Sequence, residues 1–123
     1  YYAGICYLRL GDYDKAIEFQ NRAANLAKDL DLKSDWAIAL IGLGKSFKQK
    51  EDFNSAVSKF LEAEPIANEV DAKYSLKEIY QGLSEIYEAK NDFKNTAKFA
   101  AKYSKSNNEI PEEIRKYLKG PVR

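Results

Sequence analysis

Histidine and methionine are absent from the 123 residues, and Cys6 is the one cysteine. Without histidine, the chain lacks the side chain that most often serves as an acid or a base near neutral pH. A single cysteine excludes a disulfide within the chain, and a zinc site made of cysteine and histidine ligands is excluded as well. We therefore expect no metal and no other cofactor.

Long apolar runs are also lacking, since none approaches the roughly 18 residues that a membrane-spanning helix needs. No secretory signal peptide is visible, and the chain opens at Tyr1 without an initiator methionine. We expect a fragment of a longer protein that lies in the cytoplasm, with a periplasmic sensor as the alternative.

The charges nearly cancel, because the chain has 20 lysine and arginine residues and 19 aspartate and glutamate residues. The net charge of +1 provides no general attraction to nucleic acid or to an anionic membrane. We therefore expect no direct nucleic-acid binding and no membrane contact. Hydrophobic residues make up 45% of the chain, which is enough to form a core and argues against disorder.

A six-residue pattern recurs in segments that begin at residues 11, 51 and 91, so the period is 40 residues. Each segment places an aspartate before an aromatic residue. The three dipeptides are Asp12-Tyr13, Asp52-Phe53 and Asp92-Phe93. Aspartate is a favoured N-cap, because its carboxylate accepts hydrogen bonds from the first free N–H groups of a helix. Each dipeptide therefore predicts the start of a helix.

Small or apolar residues recur at i, i+3, i+4 and i+7 over residues 40–47, 53–60, 80–87 and 93–100, which is one face of an α-helix. No segment alternates long enough to predict a strand, so the sequence indicates an all-α fold. The predicted helices lie at about 1–10, 12–30, 34–50, 52–70, 73–90 and 92–107. Pro65 falls inside one of them and is expected to kink it or to end it near Glu64.

The second unit contains Leu40-x₂-Leu43-Gly44-x₂-Phe47, followed by Ala56-x₃-Phe60. This arrangement resembles the signature of the tetratricopeptide repeat. The resemblance implies a right-handed α-solenoid of three antiparallel helix pairs over residues 1–110, at about 1–30, 34–70 and 73–108, with the first pair truncated. The period exceeds the family's usual value of about 34 residues. Such long repeats are similar to those of sensory and regulatory arrays in bacterial signalling proteins.

The last residues depart from the repeat. Pro111 and the two glutamates after it suit the first turn of a helix. A solenoid must cover its final apolar face, so we expect a capping helix at 111–120. The start of a fourth repeat is the alternative.

The resemblance also implies that the first helix of each pair lines a concave groove. This groove would bind a protein or peptide segment, and its surface changes from apolar to basic to acidic along the stack. The groove residues that the resemblance implies are Tyr1, Ile5, Leu8, Arg9, Ile38, Ile41, Lys45, Lys48, Gln49, Glu78, Gln81, Glu85 and Glu88. We expect a non-catalytic module that serves as the sensory or scaffold part of a larger regulatory protein.

Three alternatives stay open. The face could simply be solvated, with Lys45 or Lys48 paired to Glu85 or Glu88. The chain could be a structural element that associates with copies of itself through its exposed ends. It could also belong to a phosphatase-type signalling regulator whose active domain lies elsewhere.

Overall fold

The computed structural model describes residues 11–107, and five α-helices follow one another in this part of the chain. They are α1 (Tyr13–Asp29), α2 (Lys33–Gln49), α3 (Phe53–Glu69), α4 (Lys73–Ala89) and α5 (Phe93–Asn107). Residues 11–107 contain no strand, so the predicted all-α fold is confirmed. The helix bounds agree with the predicted ones to within one residue. The predicted helix at 1–10 and the capping helix at 111–120 lie outside the described residues.

A left-handed turn residue follows each of the first four helices. These residues are Asp31 (φ 55°), Glu51 (φ 66°), Asp71 (φ 53°) and Asn91 (φ 58°). Aspartate and asparagine tolerate positive φ better than most side chains do, whereas glutamate has no such advantage. The next N–H then bonds back into the helix, as from Asp52 N to the Phe47 carbonyl at 2.9 Å. This pattern closes the helix and reverses the chain within three residues.

The second helix of each pair begins at an aspartate, as the sequence predicts. Asp12, Asp52 and Asp92 each accept a hydrogen bond from the backbone N–H three residues ahead, at 3.2, 3.3 and 3.2 Å. The N-cap residues of α2 and α4 are Leu32 and Ala72, whose side chains form no capping hydrogen bond. Side-chain capping therefore distinguishes the second helices from the first.

Phe60 of α3 connects two consecutive helix pairs. Its side chain is fully buried, and its ring lies against Gly44 of α2 and Gly82 of α4. A Cβ atom added to Gly44 or Gly82 would lie 2.8 or 2.6 Å from the Cζ atom of Phe60. Glycine is thus required at both positions for the helices to approach the ring this closely. In the solenoid that results, α2 contacts α1, α3 and α4.

Pro65 does not end α3, which continues to Glu69. Of the two expected effects of Pro65, a kink or an end near Glu64, the second is therefore wrong. Proline removes the hydrogen bond to the Leu61 carbonyl. Pro65 and Leu61 are both exposed, so water can solvate that carbonyl group.

Among the five described helices, none has the combination of length and apolar composition that crossing a membrane requires.

Candidate protein-binding groove

A cavity of about 390 Å³ opens between α2 and α4, the first helices of consecutive pairs. Its lining includes six residues of the predicted groove. The lining residues are Tyr13, Lys45, Lys48, Gln49, Phe60, Glu78, Gln81, Gly82 and Glu85. We call this feature the α2–α4 groove.

The two walls of the α2–α4 groove carry opposite charges. Lys45 and Lys48 lie one turn apart on α2, because residues at i and i+3 share a helical face. Glu78, Gln81 and Glu85 lie at i, i+3 and i+7 on α4 and form the opposite wall. The groove therefore has a basic wall and an acidic wall.

Two ion pairs cross the groove. Lys45 Nζ pairs with the carboxylate of Glu78, and Lys48 Nζ lies 2.5 Å from Glu85 Oε2. The second pair is one that the sequence suggested for a solvated face, whereas Lys45 selects Glu78 rather than Glu85 or Glu88. Exposed ion pairs of this kind stabilise a protein by only about 0–1 kcal/mol, so a ligand can exchange them at low cost.

The floor of the groove consists of Phe60 and Gly82. Gly82 is buried, and the Phe60 ring fills the space where its side chain would lie. Tyr13, which is half-buried, contributes an aromatic surface to the same cavity.

The remaining predicted residues lie elsewhere. Ile41 is 4% exposed and belongs to the core, and Ile38 lines a separate cavity of about 470 Å³ between α1 and α2. Glu88 is exposed and does not line the groove. The four predicted residues of the first unit, Tyr1, Ile5, Leu8 and Arg9, lie outside the described residues.

A buried polar pair next to the groove was missed in the sequence. Gln20 and Ser46 are 1% and 0% exposed, and the Gln20 amide lies 2.7 Å from Ser46 Oγ. Ser46 Oγ donates to the Gly42 carbonyl at 3.0 Å, and the Gln20 amide nitrogen reaches the same carbonyl oxygen at 3.0 Å. Gln20 occupies the position that Phe60 has in the next repeat. A polar residue at a position that is apolar in the next repeat is the one signal that could have indicated this contact.

The perturbed titratable groups lie away from the groove. Burial, followed by the hydrogen bond that its phenol donates to Glu64 at 2.7 Å, raises the pKa of Tyr80 to about 12. A hydrogen bond to Glu69 raises the pKa of Lys33, and a hydrogen bond to Asp14 raises the pKa of Lys50. Each shift follows from a structural contact. Within residues 11–107, no group of three or more histidine, cysteine, aspartate and glutamate side chains is arranged to hold a metal.

The comparisons with known proteins agree with the repeat architecture. A family model described as "Tetratricopeptide repeat" matches residues 1–69, which is more than half of the chain. A search of curated proteins finds no match. Tetratricopeptide repeats generally mediate protein–protein interactions, and the family is generally non-catalytic. With this match and the repeating helix pairs together, the chain belongs to the tetratricopeptide repeat family.

Proposed function

We propose that this chain is a non-catalytic module that binds a protein or peptide segment in the α2–α4 groove. In this proposal it serves as the sensory or scaffold part of a larger regulatory protein. The observation that carries the proposal is the cavity of about 390 Å³ in which charged and amide side chains from two repeats converge.

The groove suits a polypeptide for a chemical reason. A polypeptide backbone has N–H and C=O groups that must keep hydrogen-bond partners when they leave water. Gln49 and Gln81 are exposed in the groove, and each amide offers both donors and an acceptor.

Selection of displayed random peptides of about twelve residues on the whole chain tests this proposal. Gln81→Trp places a large ring in the groove, and Asn25→Trp makes the same kind of change on an exposed amide of α1 outside the groove. Peptides enriched on the wild type are expected to bind Gln81→Trp at least about tenfold more weakly, a loss of about 1.4 kcal/mol. Binding to Asn25→Trp should stay unchanged. Equal binding to both variants would contradict the proposal.

Self-association is the second candidate, and exposed apolar side chains support it. Leu26, Leu30 and Leu32 are 60%, 58% and 46% exposed around the turn between α1 and α2, and Phe93 at the start of α5 is 68% exposed. Light scattering across a range of concentrations tests this candidate. A mass that rises with concentration in the wild type, but not in Leu26→Lys/Leu32→Lys, would favour it.

A further inference from the structure

The two ion pairs of the α2–α4 groove are unequally exposed. In the first pair the side chain of Lys45 is 46% exposed and that of Glu78 is 21% exposed. In the second pair Glu85 is 43% exposed and Lys48 is 24% exposed. The two less exposed charges, Glu78 and Lys48, therefore have opposite signs and belong to opposite walls.

The pairs also mark two levels along the groove. The lysines are three residues apart on α2, which corresponds to about 4.5 Å of helix rise, and the glutamates are seven residues apart on α4, which corresponds to about 10.5 Å. The mean of these two rises is about 7.5 Å. This separation between the two levels is close to the ~6.6 Å between residues i and i+2 of an extended chain. Residues i and i+2 also point to the same side of such a chain, so both can face the groove.

We infer that the α2–α4 groove selects an extended segment with one basic and one acidic side chain, two residues apart on the same face. This inference rests on the proposed function of the groove. The basic side chain replaces Lys45 on Glu78, and the acidic side chain replaces Glu85 on Lys48. Lys45 and Glu85 are the more exposed partners, so water hydrates them at little cost once they are displaced.

A segment with charges of one sign meets a different situation. It can pair with both lysines of one wall or with both glutamates of the other. An acidic segment then leaves Glu78 without a partner and a basic segment leaves Lys48 without one, and these are the two less exposed charges. Each such mismatch is expected to weaken binding about fivefold, on the scale of one exposed ion pair.

The test is the same peptide selection, carried out on the wild type, Glu78→Gln and Lys48→Gln. The wild type should enrich peptides in which a basic and an acidic residue are separated by one position. Glu78→Gln should abolish the preference for the basic residue and keep that for the acidic one, and Lys48→Gln should do the reverse. Glu88→Gln is the matched control, because Glu88 is an exposed glutamate of α4 outside the cavity.

The outcomes separate the inference from the proposed function. Enriched peptides that lose affinity for Gln81→Trp, but carry charges of one sign, would overturn the inference and leave the proposed function in place. Preferences that remain the same in Glu78→Gln and Lys48→Gln would also overturn the inference. If no peptide is enriched, or if Gln81→Trp has no effect, both the proposed function and the inference fail.

Discussion

Replacing Gly82 with alanine tests how closely α4 approaches the Phe60 ring. The new methyl carbon would lie 2.6 Å from Cζ and 2.8 Å from Cε2 of a ring that is fully buried. Overpacking of this kind costs about 1–3 kcal/mol, while alanine gains about 1 kcal/mol over glycine in a helix. Because contacts below 3 Å force the ring to move, we expect the upper part of the first range and a net loss of about 1–2 kcal/mol.

Urea denaturation followed by circular dichroism measures this loss, and thermal unfolding should show a melting temperature lower by about 4–8 °C. Gly42→Ala is the matched control, because Gly42 occupies the same position one repeat earlier. Its methyl group would meet the amide end of Gln20, at 2.7 Å, rather than the Phe60 ring. We therefore expect the cost of Gly42→Ala not to depend on the side chain at position 60.

A double variant with Phe60→Leu completes the test of this contact. Leucine is shorter than phenylalanine, so Gly82→Ala should cost little or become stabilising when Phe60 is leucine. If Gly82→Ala is as stable as the wild type in the original background, the described packing of the ring between two helix pairs is wrong.

Two further predictions concern other contacts. Ser46→Ala should destabilise the fold by about 1 kcal/mol in urea denaturation, because it removes the buried hydrogen bond between Ser46 and the Gln20 amide; adding Gln20→Leu should restore part of the loss, and no loss in Ser46→Ala would refute the contact. Hydrogen bonds from the Asn95 side chain and backbone hold the pKa of Asp92 below its usual value, so this stabilisation is present above the usual pKa and is lost as the pH falls through the lowered one. The melting temperature of the wild type should therefore fall relative to that of Asp92→Asn between about pH 5 and about pH 2, and parallel curves would contradict the role of this cap.

The helices could be predicted because their signals are local. An aspartate followed by an aromatic residue marks the start of α1, α3 and α5, and the hydrophobic spacing fixes their type. The conformations of the turn residues were harder to predict. Asp31 and Asn91 suit positive φ, but glutamate has no property that predicts this conformation at Glu51.

The lining of the groove was partly predictable because the resemblance to the tetratricopeptide repeat implies which helices face it. Residues three or four apart share a helical face, so Lys45 with Lys48, and Gln81 with Glu85, belong together once that face is known. Which carboxylate each lysine meets depends on how α4 is staggered against α2, and a single sequence does not specify that stagger. The pairing of Lys45 with Glu78 could therefore be recognised only from the structure.

Burial at the helix margins also required the structure. Ile41 lies between the groove face and the core face of α2. Whether its side chain is buried therefore depends on how the neighbouring helices pack against α2. The contact between Gln20 and Ser46 joins residues 26 positions apart. Such a contact depends on how two helices pack, so the periodicity of either helix alone could not reveal it.

The most direct test of the binding groove is nuclear magnetic resonance of the isotope-labelled chain, titrated with a peptide enriched on the wild type. We expect the largest chemical-shift changes at the backbone amides of Lys48, Gln81 and Glu85, on both walls of the α2–α4 groove. Changes centred instead on Leu26 and Leu32, at the turn between α1 and α2, would contradict the account.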